Sequence, residues 1–247
     1  MDKMLYIAMS GAKQNMHSLA INANNLANAK TTAFKADLAQ ARAMQVFGEG
    51  LPSRVFAMTE KASQNFDSGA MLTTGRDLDI AVSGDGWIAV QTKDGREAYT
   101  RDGHLRITEE GNIQTPNGDL VMGDTGPIIL PLPVNNIQIS TDGTIMVQPE
   151  GAPSTVQEEI DRIKLTKADP RMLERGNDGV FRRKDGRAMD ADATVVVKNG
   201  MLEGSNVNPI GEMTEMISIQ RQFEMQLKLM KTAEEIDSAS ASLLRAF

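Results

Sequence analysis

From Gln14 through Ala29 the chain runs sixteen residues without an aspartate, glutamate, lysine or arginine, and four of the seven positions from 22 to 28 are asparagine, Asn22, Asn24, Asn25 and Asn28. The spacing around them is helical. Leu5, Met9, Ala12, Met16, Leu19, Ala23 and Leu26 alternate steps of four and three, a seam with the 3.5-residue period that packed helices share. Asparagine is a mediocre helix former because its amide competes for nearby backbone groups. A face turned to water would carry Glu, Lys or Gln, which form helices better and pair at i,i+4. The segment is also too polar for a membrane. These features predict a helix enclosed by other protein. Small residues (Ala8, Gly11, Ala12, Ala20, Ala23, Ala27) permit close backbone approach, and amides can satisfy one another without the cost of burying charge. A single chain of this size cannot wrap a terminal helix on all sides and also build a separate domain. Many copies can, so the expectation is an assembly that packs its terminal helices together, with Asn24, Asn25 and Asn28 in the interface.

The other end repeats the pattern less cleanly. Met213, Met216, Gln220, Phe223, Leu227 and Met230 hold the register, which blurs through Ala233, Ile236, Ser240 and Leu243. Pro209 stands where a helix start favours proline, since the N–H it lacks has no partner there. Two long helices at opposite ends of a chain predict an antiparallel pair. Their methionines (Met1, Met4, Met9, Met16, Met213, Met216, Met225, Met230) can repack against unlike neighbours.

Between the helices, glycines recur every seven to nine residues at Gly86, Gly95, Gly103, Gly111, Gly118 and Gly126. Most follow a polar turn residue and flank short β-prone pieces such as "WIAV", "AYT" and "DLVM". Turns at this spacing predict an antiparallel meander. A second set follows in "NIQIS-TDG-TIMVQ", "RIKLTKA", "GVFRR-KDG-RAM" and "ATVVVK-NG-ML". The fold class is α+β: long N- and C-terminal helices pairing as a coiled-coil-like layer, with a central antiparallel all-β domain inserted between them. The expected boundaries are 1–35 for the first helix, 36–75 for a connector, 76–205 for the β domain and 206–247 for the closing helix. In the connector, "ADLAQARAMQVF" can extend the helix or form an extended arm.

The composition offers little chemistry. A net charge of -7 over 247 residues argues against a general nucleic-acid binder. There is no cysteine, hence no disulfide and no thiol chemistry. No run has the length of a membrane span, and "MDKMLYIAMSGAKQNMHS" has no basic leader before an apolar core, so a cleaved signal peptide is not expected. The two histidines, His17 and His104, have no metal-ligand spacing. His104 near Asp102 lacks an accompanying nucleophile elbow. In "RDLDIAVSGDGW" strand alternation places Leu78, Ile80 and Val82 on one face and Asp77 and Asp79 on a solvated one, which is a plainer account than cation binding with Asp85. Asp190 and Asp192 are read the same way. Trp87, the only tryptophan, is expected to anchor the core. No catalytic, metal or cofactor residue is assigned.

"ANNLANAKTTAF" (Ala23–Phe34) closely resembles the Asn-Asn-Leu-Ala-Asn signature of the flagellar axial proteins, the rod, hook and hook-associated subunits. "LEGSNVNPIGEMTEMISIQRQFEMQLKLM" is similar to that family's closing helix, and "LDIAVSGDGWIAVQT" with its sequel to the β segment shared by rod and hook proteins. Within the family, "MDKMLYIAMSGA", the "GDGW" variant and the length most resemble the proximal-rod members, with the distal rod as the alternative. The resemblance implies a structural, non-enzymatic subunit without cofactors, exported by the flagellar type III apparatus without a cleaved signal. It implies partners among other rod subunits and copies of itself, a periplasm-spanning rod, no nucleic acid and no membrane insertion. The family often has Thr-Pro-Gly-Phe after the asparagines, where this chain reads Thr31-Thr32-Ala33-Phe34. Without that Pro-Gly stop the first helix is expected to run further before bending.

A secreted β-domain binding module would instead show several exposed aromatics or a cation site. An enzyme would show a base–nucleophile pair.

Overall fold

The computed structural model describes residues 2–45, 55–59, 63–151, 153 and 157–244. The expected α+β architecture is present, with a helix at each end and antiparallel sheets between them. The chain divides into two compact units: Met1–Ala29, Lys35–Asn65 and Val207–Phe247 form the first, and Lys30–Phe34 with Phe66–Asn206 the second.

In the first unit, helix α1 spans Asp2–Ala27 and helix α2 spans Pro209–Leu244. At a rise of 1.5 Å per residue α2 is about 54 Å long. Asn208 caps its start, its Oδ1 accepting from the N–H groups of Ile210 and Gly211 at 3.2 Å each, and Pro209 takes the first helical position. The expectation that α1 runs on past the asparagines is overturned. It ends at Ala27, where Asn28 N–H makes the last helical bond to the Asn24 carbonyl at 3.1 Å and Asn28 Nδ2 adds a second donor to the same oxygen at 2.9 Å.

The helix-extension alternative for "ADLAQARAMQVF" is overturned too, since Ala41–Gln45 is a strand paired antiparallel with Val55–Thr59. Asp37–Leu38 pairs with Ser63–Gln64 at its base. The hairpin packs against α1.

The second unit is built around the strand Gly86–Gln91, buried along almost its whole length. Its hairpin partner Glu97–Thr100 lies across the Thr92–Gly95 turn, as expected. The other edge departs from a simple meander, being shared by Leu120–Val121 on one half and Leu165–Lys167 on the other. A strand with no solvated face must be central, and so it recruits distant partners. The sheet continues through Ile113–Gln114 and Arg106–Ile107 on one side and Phe181–Arg183 and Leu173–Arg175 on the other. Val134–Ile139, Thr144–Pro149 and Glu158–Arg162 form a separate three-stranded sheet.

Two expected hairpins are absent. "RAM" after Lys184-Asp185-Gly186 is not a strand, because the Met189 N–H donates to the Tyr99 hydroxyl at 2.7 Å and its side chain is buried in the aromatic cluster. Around Asn199-Gly200, Val196–Asn199 pairs with Ile80–Ser83 and Met201–Glu203 pairs with Met71–Thr73, rather than with each other.

Trp87 anchors a cluster as expected, its ring 4.8 Å from Phe181 and 6.0 Å from Phe66. Asp79 is not on a solvated face. It is buried, with one carboxylate oxygen 3.2 Å from His104 Nδ1 and 3.5 Å from Arg76 Nη1. Alternation misplaces it because the regular strand begins only at Ile80, and Ile80, Ala81 and Val82 are all buried in sequence. Asp77 is exposed as expected.

Candidate assembly interface

The helices meet antiparallel, because Asn25 of α1 reaches Glu212 near the start of α2, while Asn15 reaches Gln226 further along. On α2 the positions at least half-buried step cleanly by four and three: Glu212, Met216, Ile219, Phe223, Gln226, Met230 and Ala233. Of the register read from the sequence, Met216, Phe223 and Met230 lie on this stripe, whereas Met213, Gln220 and Leu227 are exposed.

On α1 the buried positions are Ala12, Gln14, Ile21, Asn22 and Asn25. The face used inside the chain is thus largely polar and small. Gly11 lies directly under Gln226, whose Nε2 would stand 2.6 Å from a Cβ placed there.

Of the hydrophobic seam read from the sequence, only Ala12 is buried. Leu5, Leu19 and Leu26 are half-buried, and Ala23 is exposed. Met9 and Met16 are 54% and 61% exposed. The helix pair therefore buries an amide face and leaves much of the apolar seam outside.

The asparagines divide accordingly. Asn25, 2% exposed, accepts the Asp37 N–H at Oδ1 and donates from Nδ2 to the Asp37 carbonyl, both at 2.9 Å. Its Nδ2 also lies 3.3 Å from Glu212 Oε1. The side chain acts as one residue of a β-ladder, holding the extended chain after the helix against α1. Asn22 is buried with no hydrogen-bond partner for its Nδ2 among the described residues. Asn24 is exposed and Asn28 half-buried. Desolvation raises the Glu212 pKa, the Asn25 hydrogen bond lowers it, and nearby Glu215 raises it further.

The outward faces are apolar beyond what a solitary chain needs. α2 exposes Ile210, Met213, Ile217, Met225, Leu227 and Leu229, and the hairpin exposes Met44, Val55 and Met58. Burying one such side chain is worth about 1.5–3 kcal/mol, and on α2 Ile210, Met213 and Ile217 recur at the three- and four-residue steps of one helix stripe. Between α1, the hairpin and α2 lies an apolar groove of about 310 Å³ lined by Ile7, Ala8, Val55, Ala57 and Leu229.

Among the described residues there is no cluster of three or more potential metal ligands, and no helix is long and apolar enough to cross a membrane.

The chain thus places a β unit between two terminal helices that pair with each other and leave apolar side chains exposed. The chain belongs to the flagellar basal-body rod family, whose members are structural proteins and not enzymes. Residues 198–243 match the flagellar basal body rod FlgEFG protein C-terminal model, and residues 81–147 match the flagellar hook protein FlgE/F/G D1 domain. The flagellar basal-body rod protein FlgF of Escherichia coli (strain K12) is 39% identical over 250 residues, covering 99% of each chain. FlgF of Salmonella typhimurium (strain LT2) is 37% identical with the same coverage. FlgG of Bacillus subtilis (strain 168), another basal-body rod protein, is 28% identical over 98% of each chain.

Proposed function

We propose that the chain is a proximal-rod subunit of the FlgF kind, which assembles helically through its terminal helices and transmits torque from motor to hook. The observation that carries this reading is the outward apolar face of α1 and α2, with Met9, Met16, Met213 and Ile217 each more than half exposed. Such a surface demands cover, and heterologous contacts between successive subunits supply it along a helical lattice. The proximal assignment is supported by identity of 37–39% to the enterobacterial FlgF proteins against 27–28% to FlgG proteins. A distal-rod subunit is the second reading.

The partners proposed are other rod subunits and copies of the chain itself, in a rod that crosses the periplasm. Export is by the flagellar type III apparatus. The exposed seam residues Met9, Met16 and Ala23, with exposed Asn24, Met213 and Leu227, face neighbouring subunits, and the half-buried Leu5, Leu19 and Leu26 flank them.

The test is incorporation of Met16→Glu and Ile217→Glu chains into purified hook–basal bodies, quantified by mass spectrometry beside the distal-rod protein. Wild-type chain at a small stoichiometric amount and loss of both variants are expected. Wild-type abundance equal to the distal rod would move the subunit outward along the axis. Normal incorporation of both variants would overturn the helix-face reading.

A further inference from the structure

Three segments open and close the β unit: Lys30–Phe34, the stretch from Asp67 to Ala70, and the stretch from Glu203 to Asn206. They are stitched to one another. Ala33 N–H donates to the Glu203 carbonyl at 2.8 Å, Gly204 N–H to the Ala70 carbonyl at 2.8 Å, and Asn206 N–H to the Phe34 carbonyl at 3.3 Å. Asn206 Nδ2 donates to the Asp67 carbonyl at 3.0 Å.

Through the middle runs a buried ion pair. Arg101 Nη1 meets Glu203 Oε2 at 3.1 Å, with the side chains 3% and 0% exposed. The other Glu203 oxygen accepts the Gly69 N–H at 3.0 Å. Arg101 is fixed in turn, its Nη2 donating to the Gly84 carbonyl at 2.6 Å and its guanidinium lying 5.2 Å from the centre of the Trp87 ring.

A buried ion pair is weak evidence for stability, because desolvation offsets the attraction, and its best-attested use is to fix a register. A register here needs fixing. Met201–Glu203 pairs with Met71–Thr73 over only three residues, Leu202 opposite Leu72. Hydrophobic burial sets register where one face is covered, but Met71 and Leu72 are 36% and 52% exposed. Leu202, 7% exposed, is the one buried apolar residue of this ladder, so apolar burial alone holds its register weakly.

We propose that Arg101 and Glu203 form a register lock: the guanidinium, anchored in the aromatic core, accepts the Glu203 carboxylate in one position along the strand and so selects one pairing of Met201–Glu203 with Met71–Thr73. A slip of one residue shifts the strand by about 3.3 Å, withdraws the carboxylate from Arg101 and leaves both charges buried without their partner.

The chain has no cysteine, so engineered disulfides report the register directly. Leu72→Cys/Leu202→Cys traps the observed pairing, and Leu72→Cys/Met201→Cys traps a one-residue slip. Each pair is placed in the full-length wild-type chain, in Arg101→Met/Glu203→Met, which removes both charges, and in Glu203→Gln, which keeps the shape. Trp87 fluorescence verifies that the β unit is folded. In the wild type the first pair should oxidise almost exclusively. In both lock variants the ratio of slipped to observed cross-link should rise about tenfold or more, the effect of losing a charge-assisted bond. An unchanged ratio in either folded variant overturns the proposal.

Discussion

Asn25 and Asp37 exchange two hydrogen bonds of 2.9 Å, with a side-chain amide on one side and a backbone peptide on the other. The helix residue imitates a strand neighbour, and the chain leaving α1 is pinned alongside it. Asn25→Leu fills the space but removes both bonds to the half-buried Asp37 backbone, at about 0.5–1.5 kcal/mol for each bond. Helical circular dichroism should show unfolding of the first unit at lower denaturant. Trp87 fluorescence, which reports the β unit, should keep its midpoint. Coincident shifts in both signals would contradict a local role for Asn25.

Ala33 sits at φ 56°, a left-handed conformation, held by its bond to the Glu203 carbonyl. An L-residue pays about 1–2 kcal/mol there, and glycine returns part of that through unfolded-state entropy. Ala33→Gly is therefore expected to stabilise the β unit by about 0.5–1 kcal/mol in urea titration followed by Trp87. A loss of stability would show that the backbone is not strained at this residue.

Gly103 is a question of space rather than dihedral angle. A Cβ there would stand 1.8 Å from the Ile80 carbonyl oxygen, inside the strand pairing that brings Gly103 O to the Ile80 N–H at 3.0 Å. Gly103→Ala should cost more than about 3 kcal/mol, seen as a large fall in the thermal midpoint. Gly84, at φ 75° with nothing within 4 Å of where a methyl group would stand, should tolerate alanine at about 1 kcal/mol.

Glu212 gives a pH signature. Its pKa is raised in the fold, chiefly by desolvation, so the native state binds the proton more tightly than the unfolded chain. Its contribution is fully present below the unfolded pKa and is lost as pH rises through the folded one. Glu212→Gln keeps an acceptor for Asn25 Nδ2 without the buried charge. At pH 7 the variant should unfold at higher urea than wild type, and the gap should close on acidification through the carboxylate range. A gap that widens in acid would reverse the assigned sign.

The terminal helices, the β character of the middle and the Trp87 anchor are legible in the sequence because each rests on local spacing. The helix period appears in Leu5 through Leu26, and turn glycines such as Gly95 and Gly111 take positive φ. The face chosen for the helix pair is not legible. Met9 and Met16 look like a core seam, yet the chain packs Asn22 and Asn25 inward, since the Asn25 amide finds Asp37 and α2 while the methionines remain outside. Asparagine clustering signals enclosure but not which side is enclosed by the chain's own residues. The Arg101–Glu203 pair joins positions 102 residues apart, and nothing in the local pattern at either end announces it. Strand alternation misplaces Asp79 for a related reason: its partner His104 arrives from another part of the chain through a single bridge.

The inversion of α1, amides in and methionines out, changes which substitutions selection can see. In most small proteins a surface position drifts freely and an interior one does not. In the proposed rod assembly Met9 and Met16 are surface positions only until neighbours cover them. A mutational scan scored by the folding of the purified chain would pass nearly every change at those two residues, and a scan scored by swimming would reject the polar ones. The distance between the two maps, residue by residue, would trace the footprint of the neighbours on the helix without any of them being present.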